Sequence, residues 1–196
     1  MGCGKSSVGR RLSELLCCPF IDLDSVIEEQ DGRSIPEIFA SDGEAAFRQM
    51  ELDTLRSIIQ CSTAAGRVQK QSLPSSMGPS LCGQRGSTAS APSLLPHNHV
   101  VLSLGGGAVM TPECAELVKE NTLCIYLRTS VDTLVERLTY EAAGRPLLAS
   151  DSDLRTRIET LMSKRASTYE ATAHHIIDTD GLSIDDIATR VVQMLK

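Results

Sequence analysis

The sequence predicts an α/β domain built on a parallel sheet with helices on both faces. Short aliphatic segments alternate with segments of helical periodicity, and strands that are separated by helices run parallel. Aromatic residues are scarce at 3%, with no tryptophan, so the core must be aliphatic, as in buried parallel strands. A glycine-rich turn of the kind that binds phosphate also leads directly into the first helix.

Hydrophobic periodicity divides the chain into elements in the order expected for this class. The predicted strands are 19–24, 100–104, 122–127 and 176–178. The predicted helices are 6–16, 25–30, 34–40, 44–59, 112–120, 131–140, 152–171 and one that begins near Ser183, where Ser183 and Asp186 offer an N-cap arrangement. Helix 6–16 carries Val8, Leu12, Leu15 and Leu16 at helical spacing, and helix 44–59 carries Phe47, Met50, Leu55 and Ile58 on its predicted inner face.

The first six residues, Met-Gly-Cys-Gly-Lys-Ser, match the end of a phosphate-binding loop of the form G-x-x-x-x-G-K-[ST]. In such a loop the backbone N–H groups surround the phosphates of a nucleotide, the lysine neutralises the outer phosphates, and the following hydroxyl holds Mg²⁺. Lys5 and Ser6 fit these two roles. A chance cluster of glycines is the alternative interpretation, but the helix that follows favours phosphate at its N-terminus.

Two features depart from an uninterrupted pattern. The first glycine of the loop would lie two positions before Met1, and the strand that normally precedes such a loop is missing from this sequence. We therefore expect a sheet without its first strand. Residues 61–99 contain no Asp or Glu and are rich in Ser, Gly and Pro, which predicts a disordered surface insertion within a single domain, 1–196.

Composition limits the functional classes. The net charge of −6 argues against general affinity for nucleic acid. The sequence also contains no run of about 18 apolar residues, the length that a membrane-spanning helix needs. Seven cysteines without paired zinc-type spacing are interpreted as reduced thiols, which indicates a cytoplasmic protein. A plastid location would apply if a transit peptide has been lost with the N-terminus. We expect a monomer.

Two aspartates, Asp22 and Asp24, end the first predicted strand. In an alternating strand both would point to one face at the carboxyl end, where open α/β sheets bind ligands. A carboxylate at that position can orient or deprotonate a hydroxyl group. The alternative is a solvated strand end that caps the next helix.

Arginines and glycines supply the other candidate site residues. Arg48 precedes Glu51 by three residues on a predicted helix, which indicates either an exposed ion pair or a guanidinium placed to bind a planar anion. Three consecutive glycines, 105–107, follow an aliphatic strand and suggest a backbone that passes close to a ligand. Arg145 lies in a Gly-Arg-Pro segment between two helices, the kind of segment that can close over a site.

The order and spacing of these motifs resemble shikimate kinase over almost the whole chain except 61–99. The matching segments are G-C-G-K-S-S-V-G-R-R-L, F-I-D-L-D, G-R-S-I-P-E-I-F, G-E-x-x-F-R-x-x-E, L-S-L-G-G-G-A-V, G-R-P-L-L and K-R-A-x-x-Y. The resemblance implies a three-layer P-loop kinase fold like that of nucleoside monophosphate kinases. It also implies transfer of the γ-phosphate of ATP to the 3-hydroxyl of shikimate, a step toward chorismate and the aromatic amino acids.

The resemblance further implies roles for individual residues. Those expected to bind ATP are Gly2, Cys3, Gly4, Lys5, Ser6, Ser7, Arg137 and Arg145. Those expected to bind shikimate are Asp24, Arg48, Gly105, Gly106, Gly107 and Arg165. Lys5, Asp24 and Arg145 would be catalytic, with Arg145 in a lid of about 140–153. Ser6 and Asp22 would hold Mg²⁺, directly or through water, with Ser103 hydrogen-bonded to a water ligand. Arg137 would stack on adenine, although a surface position on its helix is the equal alternative.

Two other functions stay open at this point. A related small-molecule kinase, such as gluconate kinase, would share the loop and the general fold. A catalytically silent paralogue would bind nucleotide or a protein partner instead. The combination of two arginines, the D-x-D pattern and three glycines favours shikimate as the acceptor.

Overall fold

The computed structural model describes residues 2–68, 99–142 and 151–195, in which strands and helices alternate. The strands are β1 (Phe20–Asp22), β2 (Val101–Ser103), β3 (Ile125–Arg128) and β4 (His175–Asp178). The helices are α1 (Lys5–Leu16), α2 (Leu23–Asp31), α3 (Ile35–Ser41), α4 (Gly43–Val68), α5 (Pro112–Asn121), α6 (Val131–Ala142), α7 (Asp151–Thr172) and α8 (Ile184–Met194). A short 3₁₀ helix, Ala108–Met110, follows the three glycines.

The strands form two parallel pairs. β1 pairs with β2, with Asp22 opposite Ser103, and β3 pairs with β4, with Ile125 opposite His175. Parallel strands joined through helices confirm the predicted α/β class. The capping box that Ser183 and Asp186 form at the start of α8 is confirmed as well.

A cavity of about 840 Å³ lies between β2 and β3, and we call it the inter-sheet slot. Each of these strands has a strand partner on one side only among the described residues. The slot is lined mainly by aliphatic side chains of α1, β2 and β3, including Val8, Leu12, Leu102, Ile125 and Leu127. Two strands that border one apolar cavity have the arrangement of a parallel sheet without a central strand.

The buried core is aliphatic, as the composition predicts. Three clusters contain Leu23, Ile27, Ile38, Phe47 and Ala108; Leu52, Leu55, Val109, Cys114 and Val118; and Val8, Ile177, Ile187 and Val191. The predicted inner face of α4 is correct, since Phe47 and Leu55 are buried while Met50 and Ile58 pack against the clusters. In α1, Val8 and Leu16 are buried, whereas the Leu15 side chain is exposed.

Strand β1 ends two residues earlier than the sequence predicts. Asp22 accepts a hydrogen bond from the Asp24 backbone N–H and caps α2, so the chain turns into a helix at Leu23. Asp24 therefore lies in the first turn of α2 rather than on a strand. The predicted strand alternation of Asp22 and Asp24 is wrong, and Asp22 caps the next helix as in the alternative interpretation.

Helix α4 continues eight residues into the segment predicted as an insertion, ending at Val68. The sequence from 61 to 68 has no proline and includes two alanines, so helix propensity allows this extension despite the absence of acidic residues. The rest of the predicted insertion, 69–98, and most of the predicted lid, 143–150, lie outside the described residues. No helix in the described ranges has the length and hydrophobicity needed to span a membrane.

Candidate active site

The predicted site residues gather where β1 and β2 end, beside the N-terminus of α1. Asp22 and Ser103 are paired at the ends of these strands. The Ser6 hydroxyl, in the first turn of α1, donates a hydrogen bond of 2.8 Å to Asp22 Oδ2. The phosphate-loop motif and the D-x-D motif, 16 residues apart in sequence, are thus in direct contact.

The loop before α1 has the backbone geometry of an anion site. Gly2 and Gly4 have φ values of 68° and 78°, in the left-handed region that glycine adopts without strain. Gly4 is the N-cap of α1, and neither a side-chain cap nor an acidic residue occupies the first turn. The N-terminal N–H groups and the positive end of the helix dipole are therefore left for a bound anion. Within this segment Cys3, Lys5 and Ser6 are half-buried and Ser7 is exposed.

Helix α6 supports the loop from one side. A Cβ atom placed at Gly2 would lie 3.3 Å from Leu138 and 3.4 Å from Leu134, so α6 packs closely under the backbone there. Arg137 donates a hydrogen bond of 3.3 Å to the Gly2 carbonyl. Arg137 therefore contacts the loop itself, while its stacking on adenine remains a prediction.

The carboxyl group of Asp24 ionises less readily than that of an exposed aspartate. Burial raises its pKa above the ordinary value for aspartate, and the negative charges of Asp22 and Glu28 act in the same direction. The positive charges of Lys5 and Arg48 oppose this rise in pKa. Asp24 thus binds a proton more readily than an exposed aspartate, which suits a group that accepts a proton from a hydroxyl.

Arg48 is held between two carboxylates. Its Nη1 donates to Glu51 Oε2 at 2.6 Å and its Nη2 donates to Glu44 Oε1 at 2.8 Å. Glu51 is only 1% exposed, and its other oxygen, Oε1, has no hydrogen-bond partner among the described residues. Burial raises the pKa of Glu51, while the hydrogen bond from Arg48 opposes that rise. A guanidinium fixed in this way is pre-organised for an anionic ligand.

The glycines after β2 make room for these side chains. A Cβ atom at Gly105 would lie 2.5 Å from Asp24 Oδ1 and 3.1 Å from Glu51 Oε1. A Cβ atom at Gly107 would lie 2.5 Å from Arg48 Nη1. The sequence predicts that this backbone passes close to a ligand. In the structure the groups that leave no room for a Cβ atom are side chains of the site, and contact with a ligand remains a prediction.

Helix α7 brings a second arginine to the same turn. Arg165 Nη1 donates a hydrogen bond of 3.0 Å to the Gly106 carbonyl, and the positive charge of Arg165, like that of Arg48, opposes the rise that burial causes in the pKa of Glu51. Tyr169 also donates its hydroxyl to the Gly106 carbonyl. Arg48 and Arg165, 117 positions apart, are therefore held at one glycine turn, and their binding of a shared acceptor remains a prediction.

The sequence analysis gave Tyr169 no role at the site, whereas it paired Glu51 with Arg48 and expected Ser103 to hydrogen-bond a water ligand. Glu51 and Tyr169 stand in the quoted motifs, three residues after Arg48 and four after Arg165, and that helical spacing was the available signal. Ser103 is buried, and its Oγ has no partner among the described residues. Arg145 falls outside the described residues, so its predicted role at the site stays a prediction.

Comparisons with known proteins identify the family of the chain. The family model for shikimate kinase matches residues 1–73 and 88–196. The chain belongs to the shikimate kinase family. Shikimate kinase of Salinibacter ruber is 35% identical over 202 residues, covering 100% of this chain and 80% of that protein. Shikimate kinase of Thermus thermophilus is 33% identical over 195 residues, covering 100% of this chain and 85% of that protein.

Solved structures of shikimate kinases have the same fold. The enzyme of Acinetobacter baumannii in complex with shikimate gives a TM-score of 0.71 at 29% identity, covering 100% of this chain and 88% of that one. The enzyme of Bacteroides thetaiotaomicron gives a TM-score of 0.73 at 26% identity, with coverage of 100% and 93%. The predicted P-loop kinase fold, similar to that of nucleoside monophosphate kinases, is confirmed.

Proposed function

We propose that this chain transfers the γ-phosphate of ATP to the 3-hydroxyl of shikimate, giving shikimate 3-phosphate for aromatic amino acid biosynthesis. The observation that carries the proposal is one glycine turn that touches Asp24, Arg48 and Arg165, beside a loop with the geometry of an anion site. Two guanidinium groups next to a carboxyl group suit an acceptor that has both a carboxylate and hydroxyl groups. One structural relative is described as a complex with shikimate.

On the phosphate side, the N–H groups from Gly2 to Ser7 surround the β- and γ-phosphates, and Lys5 neutralises their charge. The uncapped N-terminus of α1 adds its dipole to this attraction. Because α6 fixes the Gly2 carbonyl through Arg137, the loop is already shaped before nucleotide arrives. We assign Arg137 to the adenine side and Arg145 to the lid by family resemblance.

On the acceptor side, Arg48 and Arg165 bind the carboxylate of shikimate and thereby orient its ring. Asp24 then accepts the proton of the attacking hydroxyl, helped by a pKa that burial raises. The backbone of Gly105, Gly106 and Gly107 forms the floor under the acceptor, since larger residues would displace Asp24 or Arg48.

A divalent cation fits beside the phosphate loop. Ser6 Oγ and the Asp22 carboxylate are hard oxygen donors in mutual contact, and the buried Ser103 Oγ lies at the paired strand end without a partner among the described residues. Mg²⁺ takes one or two protein ligands and fills its other positions with water and phosphate oxygens. We propose that Ser6 and Asp22 hold Mg²⁺ and that Ser103 hydrogen-bonds a water ligand. When bound, the ion neutralises charge on the phosphates.

The proposal extends to compartment and assembly. The six cysteines in the described part of the chain are free, which supports a reducing compartment such as the cytoplasm. We propose a monomeric enzyme, with a plastid location reserved for a form that carries a transit peptide.

A coupled assay of ADP release tests the function. Purified protein with ATP and Mg²⁺ should consume ATP rapidly with shikimate and near background with gluconate or with no acceptor. Faster turnover with gluconate would favour the related small-molecule kinase. Nucleotide binding without turnover on either acceptor would favour the silent paralogue.

A further inference from the structure

The Gly106 carbonyl accepts two hydrogen bonds from helix α7. Arg165 Nη1 donates one at 3.0 Å and the Tyr169 hydroxyl donates the other. The two donors are four residues apart and share one face of α7. Gly106 is the middle glycine of the turn whose neighbours touch Asp24 and Arg48. The position of this carbonyl therefore sets the spacing between the two sides of the acceptor site.

Arg165 uses Nη1 for the Gly106 carbonyl, and its other N–H groups remain for a bound carboxylate. The carboxylate carries a full negative charge and the carbonyl does not, so an anionic acceptor draws the guanidinium toward itself and weakens its bond to the carbonyl. The Gly106 carbonyl then depends on its second donor. A half-buried carbonyl that loses both donors carries an unfavourable desolvation cost.

Tyr169 is held in place by packing that the acceptor does not disturb. Its ring lies 5.2 Å from that of Tyr126, and it packs against the cluster around Leu52 and Leu55. The hydroxyl is thus a donor whose position does not depend on ligand charge. Arg165, in contrast, is a charged donor beside Glu51.

We propose that Tyr169 is a positioning residue that holds the Gly106 carbonyl while Arg165 engages the carboxylate of the acceptor. The inference rests on the proposed function, because it requires an acceptor with a carboxylate. Tyr169 does not touch the acceptor. It keeps the glycine turn, and with it Asp24 and Arg48, in the geometry that the acceptor needs.

The test is Tyr169→Phe, with Tyr126→Phe as the matched control. Both variants keep the ring pair and lose one hydroxyl, but only Tyr169→Phe removes a hydrogen bond to Gly106. A neutral hydrogen bond contributes about 0.5–1.5 kcal/mol, so the KM for shikimate should rise about 2- to 12-fold in Tyr169→Phe. The kcat, the KM for ATP and all constants of Tyr126→Phe should stay within about twofold, by the same estimate.

Thermal unfolding separates positioning from simple stabilisation. Without ligand, Arg165 still donates to the carbonyl, so the unfolding midpoint of Tyr169→Phe should lie no more than about 6 °C below that of Tyr126→Phe, the cost of one neutral hydrogen bond. Saturating shikimate should raise the midpoint less in Tyr169→Phe than in the control. A lowered midpoint with an unchanged KM for shikimate would assign Tyr169 a structural role and overturn the inference. If the unaltered chain shows no turnover and no binding with shikimate, the proposed function fails, and the inference fails with it.

Discussion

Replacing Gly107 with alanine tests whether the glycine turn shapes the acceptor site through Arg48. Gly107 has φ of −106° and ψ of −13°, a conformation open to alanine, so backbone strain is not expected. The new methyl carbon would lie 2.5 Å from Arg48 Nη1 and 2.6 Å from Nη2, far inside contact distance. The guanidinium is the free end of a flexible side chain and must move. It would then lose its bonds to Glu51 and Glu44.

The expected loss follows from the group that moves. Hydrogen bonds to charged groups contribute about 1.5–3 kcal/mol, so displacement of one guanidinium from the acceptor should weaken shikimate binding about 10- to 150-fold. The affinity for ATP should hardly change, because the phosphate loop does not contact Gly107. Thermal stability should fall as well, because the Glu51 carboxylate, which is 1% exposed, would lose the guanidinium that pairs with it.

The assay is the KM for shikimate and for ATP in four proteins: unaltered, Gly107→Ala, Arg48→Ala and the double variant. Because the methyl group acts through Arg48, its effect should disappear in the Arg48→Ala background. An equal loss in both backgrounds would show that the substitution acts on the backbone instead. An unchanged KM for shikimate in Gly107→Ala would refute the role given to Arg48.

Four further predictions follow from the site and the fold. Lys5→Ala should abolish turnover while keeping the unfolding midpoint, because this half-buried side chain serves the phosphates rather than the core; residual turnover near normal would exclude that role. Asp24→Asn should abolish turnover yet raise the unfolding midpoint at pH 7. The reason is that the pKa of Asp24 is raised in the folded state, so its ionised form destabilises the fold. The gain in midpoint should vanish as the pH falls below about 4, where aspartate is protonated in both the folded and the unfolded state. A chain extended by about ten residues before Met1 should fill the inter-sheet slot, if the added segment is an aliphatic strand that ends in Gly and one further residue. The unfolding midpoint should rise by about 10 °C, since each buried aliphatic side chain contributes about 1.5–3 kcal/mol. An unchanged melting curve would mean that the slot does not accept a strand. Deleting 74–87, which the family model does not match, should leave turnover intact and change the free energy of unfolding by about 1 kcal/mol or less, as unfolding in denaturant would measure.

The elements that depend on local pattern were predictable from the sequence. The inner face of α4 and the capping box at Ser183 follow from periodicity and side-chain chemistry within one turn or two. Asp24 was misplaced because an alternating D-x-D reads equally well as a strand or as a helix cap. The cap at Asp22 decided the outcome.

The contacts between distant segments were less accessible. Motif order implied that Arg48 and Arg165 share a ligand, but no local pattern reveals that both meet one glycine turn. The need for glycine at position 107 was hidden in the same way, because the group that leaves no room for a side chain there is Arg48 of α4, nearly 60 positions earlier in the sequence. The burial of Glu51 depends on how α2, α4 and the turn pack together, which periodicity alone does not determine.

The inter-sheet slot connects strand pairing at the sheet edges with the helix that carries the phosphate-binding residues. In the part of the chain that the structure describes, β2 and β3 each have an edge without a strand partner beside an apolar cavity. Such edges can pair with an added strand of this chain or with an extended segment of another molecule, so the two compete for the same place. One wall of the slot is formed by Val8 and Leu12 of α1, the helix that also carries Lys5 and Ser6. A segment bound in the slot would therefore contact α1, the helix that follows the phosphate loop. A strand added to fill the slot should therefore change the apparent affinity for ATP as well as the stability.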